Sequence, residues 1–134
     1  MDQREDSLSK KTILVVEDDS ILRTTLVNQL KPKFFVIEAG SGEKALQEIS
    51  DNKPDLVVLD LLLPNVNGFE VLDRIRRHPD PVIAKTKVII LSNFTQSEDI
   101  LKAKNLSVSD YLIKSETGLN ELEAKIKDAL NGLI

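Results

Sequence analysis

The sequence predicts an α/β domain in which five parallel strands are covered on both faces by five helices. Three observations carry this. Short apolar runs alternate five times with segments of helical periodicity. The apolar runs are continuous rather than alternating, as in strands buried on both faces. The length, 134 residues, suits one domain and buries enough surface for a core without staples.

Thr12-Ile13-Leu14-Val15-Val16 is the first strand, β-branched and fully apolar after Thr12. Ile21, Leu22, Thr25, Leu26 and Leu30 follow at helical spacing, and Pro32 ends that helix. Phe34 to Ala39 is the second strand, and Ser41 caps a helix carrying Ala45, Leu46 and Ile49. Leu56 to Leu59 is the third strand. Gly68 opens a helix with Phe69, Val71, Leu72 and Ile75. Residues 78–86, with two prolines, read as a surface connection, with His78 facing solvent. Val88 to Leu91 is the fourth strand, Ser97 caps a helix with Ile100, Leu101 and Ala103, and Asp110 to Ile113 is the fifth strand. The last helix runs from about Leu119 to Leu130, with Leu122, Ile126, Ala129 and Leu130 on one face. Residues 1–10 are polar and aperiodic and read as a flexible N-terminal tail, which leaves the folded domain at 11–131.

Composition narrows the function. The 41% hydrophobic and 30% charged content is that of an ordinary globular protein. A net charge of −4 gives no basic face for nucleic acid. No apolar run approaches the ~20 residues of a membrane span, and Met1 to Asp6 lack a signal-peptide core. With no cysteine, disulfides and thiolate metal sites are ruled out, which fits a cytoplasmic setting.

The chemistry lies at the strand ends, where ligands of open parallel sheets bind. Strand one ends in Glu17-Asp18-Asp19, strand three in Asp60, strand four in Ser92 and strand five in Lys114. Each acid alone could cap a helix or face water, and Asp19, just before Ser20, reads as a cap. If strands one and three are neighbours, Glu17, Asp18 and Asp60 crowd one edge, where they repel unless a cation is present. Hard oxygen donors without sulfur or imidazole suit Mg²⁺.

The stretches "ILVVEDDS", "DLVVLDLLLPNVNGFEVL", "VIILS" and "DYLIK" resemble the response regulator receiver domain over residues 11–131. The resemblance implies a flavodoxin-like, doubly wound sheet of order 2-1-3-4-5 in a three-layer α/β/α sandwich. It places the acidic pair on Glu17 and Asp18, the phosphoacceptor on Asp60, the switch hydroxyl on Ser92, the switch aromatic on Tyr111 and the site lysine on Lys114. Pro64 and Gly68 complete the loop pattern. It implies Mg²⁺ held by Asp18, Asp60, the Leu62 carbonyl and, through water, Glu17. A histidine kinase or histidine phosphotransfer protein would supply the phosphoryl group. Ser92 would then move toward it, Tyr111 would turn inward, and the fourth helix, fifth strand and fifth helix would present a changed surface to a downstream protein target. On this reading the domain is a stand-alone signalling switch and not an enzyme, with no output domain after residue 131.

The sequence departs from the family pattern in two places. Serine, not proline, follows Lys114, so a trans bond is expected there. Asn93 replaces the small residue usual after the switch hydroxyl and would narrow the mouth of the site. Leu62 offers no group to orient an attacking water, so slow loss of phosphate is expected. Leu61, Leu62 and Leu63 are expected to pack back on the core. A non-switching pseudo-receiver scaffold is the alternative function. An aspartate-nucleophile phosphatase would need a second aspartate where Leu62 stands, and a flavodoxin would need a hydroxyl- or glycine-rich phosphate loop after strand one.

Overall fold

The computed structural model describes residues 11–134, so the tail expected at 1–10 lies outside the described residues. Five strands form: β1 (Thr12–Val16), β2 (Phe35–Ala39), β3 (Leu56–Leu59), β4 (Lys87–Ser92) and β5 (Asp110–Ile113). All neighbours pair in parallel, in the order β2-β1-β3-β4-β5. Five main helices follow the strands: α1 (Ser20–Leu30), α2 (Gly42–Asn52), α3 (Gly68–Arg76), α4 (Ser97–Asn105) and α5 (Leu119–Leu130). This is the predicted flavodoxin-like architecture.

The strands' period of two sorts their side chains into two cores. Leu14, Val16, Val57, Leu59, Val88 and Ile90 face one side and pack with Ala45 and Ile49 of α2, Val71, Leu72 and Ile75 of α3 and Ala103 of α4. Ile13, Val15, Leu56, Val58, Ile89 and Leu91 face the other, against Leu26 and Leu30 of α1 and Leu122, Ile126 and Ala129 of α5. The central strands are thus apolar throughout because both of their faces are covered. At the edge, β2 exposes Phe35 and Glu38, while Phe34 is buried just ahead of the strand and not within it.

Three local expectations are corrected. The connection 78–86 contains a sixth, one-turn helix at Pro81–Ala84. The Asp80 side chain caps it by accepting from the Val82 amide, Pro81 holds its first position, and Ile83 enters the core at 2% exposure. The Arg76 guanidinium fastens this turn by donating to the carbonyls of Ala84, Thr86, Leu106 and Ser107 at 2.7–3.1 Å. His78 is half-buried, its Nδ1 accepting from the Asp80 amide. Second, Ser97 is the first helical residue of α4 and not its cap. Gln96 holds the extended cap position without a side-chain bond, and Glu98 and Asp99 supply the favourable charge in the first turn. Third, Leu61 and Leu63 pack inward but Leu62 is 64% exposed.

Candidate functional site

Register alone brings the two buried acids together. Val16 pairs with Leu59, so Glu17 and Asp60 emerge side by side where β1 and β3 end. Backbone bonds extend the pairing one step further: the Glu17 amide donates to the Ala39 carbonyl and the Asp60 amide to the Val16 carbonyl. Both acids are nearly solvent-free, at 2% and 4% exposure, and Asp18 beside them is open. Oxygens of Glu17, Asp18 and Asp60 lie within 4.8 Å of one another. The donors are all hard carboxylate oxygens, which is the set a Mg²⁺ ion takes.

Lys114 reaches this cluster from the end of β5. Its Nζ donates to Glu17 Oε1 at 2.6 Å and to Asp60 Oδ2 at 2.7 Å. The remaining oxygens meet backbone amides: Asp19 donates to Glu17 Oε2 at 3.0 Å, and Leu62 to Asp60 Oδ1 at 3.1 Å. Glu17 and Asp60 are therefore each held at both carboxylate oxygens. Burial pushes the Glu17 carboxyl above its ordinary range. The Lys114 and Asp19 bonds oppose this, and the Asp60 charge adds to it. Burial alone would lower the Lys114 ammonium, but its bonds to Asp60 and Glu17 together hold it above its ordinary value.

Asp19 does act as the α1 cap, its Oδ1 accepting from the amides of Ile21 and Leu22. Gly68 is required by contact. A β-carbon there would sit 2.5 Å from the Asp60 carbonyl oxygen and from Leu61 Cα. This close approach returns the chain from Asp60 into α3, with the Gly68 amide donating to the Leu61 carbonyl.

Ser92 is the last residue of β4 and is fully buried, its Oγ accepting from the Phe94 amide at 3.3 Å. The Tyr111 hydroxyl donates to the Phe94 carbonyl at 2.7 Å, and its half-buried ring packs on the core shared with α2, α3 and α4. Five of the six predicted side chains, Glu17, Asp18, Asp60, Ser92 and Lys114, thus stand at or just past the carboxyl ends of strands, while Tyr111 is the second residue of β5. Glu17, Asp18, Asp60 and Lys114 form one contiguous group. Ser92 and Tyr111 are linked beside it through Phe94.

A search among family models matches residues 13–127 to the response regulator receiver domain. This chain belongs to the response regulator receiver family. Receiver domains are modules of phosphorylation-based two-component signalling and bind Mg²⁺ at an acidic pocket. This receiver is 34% identical over 89% of its length to the transcriptional regulatory protein AfsQ1 of Streptomyces coelicolor, covering 51% of that protein. It spans about half the length, or less, of the curated relatives it matches. Among solved structures it is similar to the receiver domain of a putative Luxo repressor protein from Vibrio parahaemolyticus (26% identity, TM-score 0.83, 92% of each chain). A CheY-like receiver from Methanospirillum hungatei shares the fold at 24% identity (TM-score 0.84, 93% of this chain and 97% of that one). No helix among the described residues is long and apolar enough to cross a membrane.

Two residues take roles at the site that sequence reasoning did not give them. Arg23 Nη1 donates to the Glu17 carbonyl at 2.7 Å while its Nε donates to Glu38 Oε1 at 3.0 Å, pinning the acidic loop to β2. Its signal was an arginine one helical turn past an acidic strand end. Asn93, expected only to crowd the mouth, accepts a hydrogen bond at Oδ1 from the Ser115 amide at 2.9 Å. The described residues contain no cis peptide bond, so Lys114–Ser115 is trans as expected.

Proposed function

We propose that residues 11–131 of this receiver accept a phosphoryl group on Asp60, with Mg²⁺, from a histidine kinase or a histidine phosphotransfer protein, and signal to a protein partner through α4, β5 and α5. The observation that carries this reading is the Asp60 carboxylate. It is 4% exposed, ends a central strand, and has the Lys114 ammonium at 2.7 Å and the oxygens of Glu17 and Asp18 within 4.8 Å. A carboxylate serving only structure gains nothing from two further acids at that distance.

In the reaction an Asp60 oxygen attacks phosphorus, an O–P bond forms and the donor's N–P bond breaks, the electron pair leaving with the imidazole. Glu17, Asp18, Asp60 and the Leu62 carbonyl would hold Mg²⁺, whose charge offsets that on the phosphoryl oxygens. Lys114, already on Asp60, is placed to follow those oxygens as a second cation. Ser92 would donate its hydroxyl to one of them. Tyr111, joined to the Ser92 region through Phe94, would report the change on the α4-β5-α5 surface. Moving such a switch from 1:99 to 99:1 takes roughly 5.5 kcal/mol of preference for one state. Two or three charge-assisted hydrogen bonds at about 1.5–3 kcal/mol each supply it. On this reading the domain is a signalling module and not an enzyme, acts in the cytoplasm, and binds neither nucleic acid nor membrane.

The test is mass measurement after incubation with phosphoramidate and Mg²⁺. One added phosphate, absent in Asp60→Asn, is expected. The absence of an adduct, even with a partner kinase, would favour a pseudo-receiver scaffold.

A further inference from the structure

Ser92 and Lys114 end neighbouring strands. In the β4–β5 register Ser92 pairs with Ile113, the residue before Lys114. One residue beyond each lies a matched pair. Asn93, just after Ser92, accepts from the amide of Ser115, just after Lys114, at 2.9 Å. Both residues are exposed, so neither is placed by burial, and the bond is their own contribution. It requires an acceptor on a side chain of this length at 93 and a residue with an N–H at 115, which a proline lacks. On the inner side, Ser92 Oγ accepts from the Phe94 amide, and Lys114 Nζ bridges Glu17 and Asp60. The hydroxyl and the ammonium at this site are therefore each one peptide bond from the two ends of a single hydrogen bond.

We propose that Asn93 is a positioning residue: its hydrogen bond to Ser115 latches the β4–α4 loop to the turn that carries Lys114, so that the switch hydroxyl and the site lysine move as one unit when Asp60 is phosphorylated. The proposal rests on the phosphoacceptor reading above for its consequence, but the latch itself is a property of the unphosphorylated chain. A Lys-Ser turn without a proline ring is free to swing Lys114 away from Asp60. The Asn93 oxygen restricts that motion from outside the sheet, while the two carboxylates restrain the ammonium from inside. A single neutral hydrogen bond of this kind changes an equilibrium by about 2- to 13-fold.

Two readouts separate the latch from the phosphorylation reading. Backbone amide exchange at Ser115 in the unphosphorylated protein reports the hydrogen bond directly. The rate of Asp60 phosphorylation by phosphoramidate reports Lys114 positioning. In Asn93→Ala, Ser115 exchange is expected to accelerate up to about 13-fold, and the maximal phosphorylation rate to fall by about 2- to 13-fold with the half-saturating phosphoramidate concentration unchanged. Asn93→Asp, which keeps the acceptor oxygen, is expected to restore both Ser115 protection and the parent phosphorylation rate. Unchanged Ser115 exchange in Asn93→Ala overturns the latch even if phosphorylation proceeds normally. Accelerated exchange with an unchanged phosphorylation rate overturns the positioning role. Failure of the parent protein to take phosphate at all, with Ser115 exchange behaving as described, removes the phosphoacceptor reading and with it the positioning role.

Discussion

Replacing Lys114 by methionine removes one ammonium from between two carboxylates, and the structure fixes how much that costs. The Glu17 and Asp60 side chains are 3% and 6% exposed and the lysine 21%, so water restores little of the lost interaction. Leaving a buried charge unpaired costs about 3–5 kcal/mol. Protonation sets a ceiling below the top of that range. Glu17 is already pushed up by burial, and neutralising a glutamate of ordinary value 4.5 at pH 7 costs about 3.4 kcal/mol, at about 1.36 kcal/mol for each of 2.5 pH units. At pH 5 the same proton costs about 0.7 kcal/mol. The expected loss is therefore about 3 kcal/mol at pH 7 and under about 1 kcal/mol at pH 5. The sign follows from linkage: with Lys114 gone, the folded Glu17 binds its proton more tightly than the unfolded one, so stability falls as pH rises from the unfolded value to the folded one. Mg²⁺ at a hundredfold excess over its dissociation constant would return about 2.7 kcal/mol. Urea unfolding of both proteins at pH 5 and 7, with and without Mg²⁺, measures these three quantities. A variant as stable as its parent at pH 7 without Mg²⁺, or a loss equal at both pH values, would refute the claim that this lysine holds two charged acids together.

Three more outcomes are expected. Gly68→Ala drives a β-carbon into the Asp60 carbonyl and Leu61 Cα, backbone atoms that cannot swing aside; a loss of about 1–3 kcal/mol is expected in urea, together with slower phosphorylation because Asp60 must move. Tyr111 is the single tyrosine in a chain without tryptophan, so its absorbance titration is unobstructed. Burial, then the Asp99 and Asp60 charges, raise its phenol above 10.0 against the opposing Ser92 hydroxyl, so the stability tied to the neutral phenol is complete below 10.0 and lost as pH rises through the folded value; a midpoint at or below that of the urea-unfolded chain would contradict this. Leu62 stands 64% exposed above Asp60 with no polar side-chain group, so the phosphoprotein should outlast its own formation by a wide margin in Mg²⁺ buffer, read by mass against time; rapid decay would show that another group orients the attacking water.

Much of the fold was legible because its signals are redundant. β1 and β3 are apolar on both faces, helical periodicity falls in every gap, and the Ser41 and Asp19 caps lie where their side chains bond the first-turn amides. What was misread had a local signal overruled by its setting. Asp80-Pro81 is a helix start in miniature, but one turn gives no periodicity to notice, and its stability comes from Ile83 and from Arg76, which is distant in sequence from two of its four carbonyls. Ser97 is a good capping residue in the wrong place, since the chain turns helical one residue sooner. Leu62 reads as core by composition, yet it lies in the irregular loop past β3, where Leu61 and Leu63 turn inward and Leu62 is left exposed.

The site divides in the same way, and the division has a physical cause. Glu17, Asp18, Asp60, Ser92 and Lys114 could be found because parallel register forces strand ends together, and their side chains carry charge or a hydroxyl whose purpose is hard to assign elsewhere. The roles of Arg23 and Asn93 could not, because the bonds by which they set the site go to backbone: a carbonyl for one, an amide for the other. Residue type announces a side chain's own chemistry but says nothing of which main-chain group it will reach. That blind spot coincides with the parts that set geometry. Arg23 fixes the loop bearing two of the three acids, and Asn93 fixes the turn bearing the lysine. The candidate groups are thus declared by the sequence, while their spacing to within an ångström depends on contacts that only the folded chain reveals.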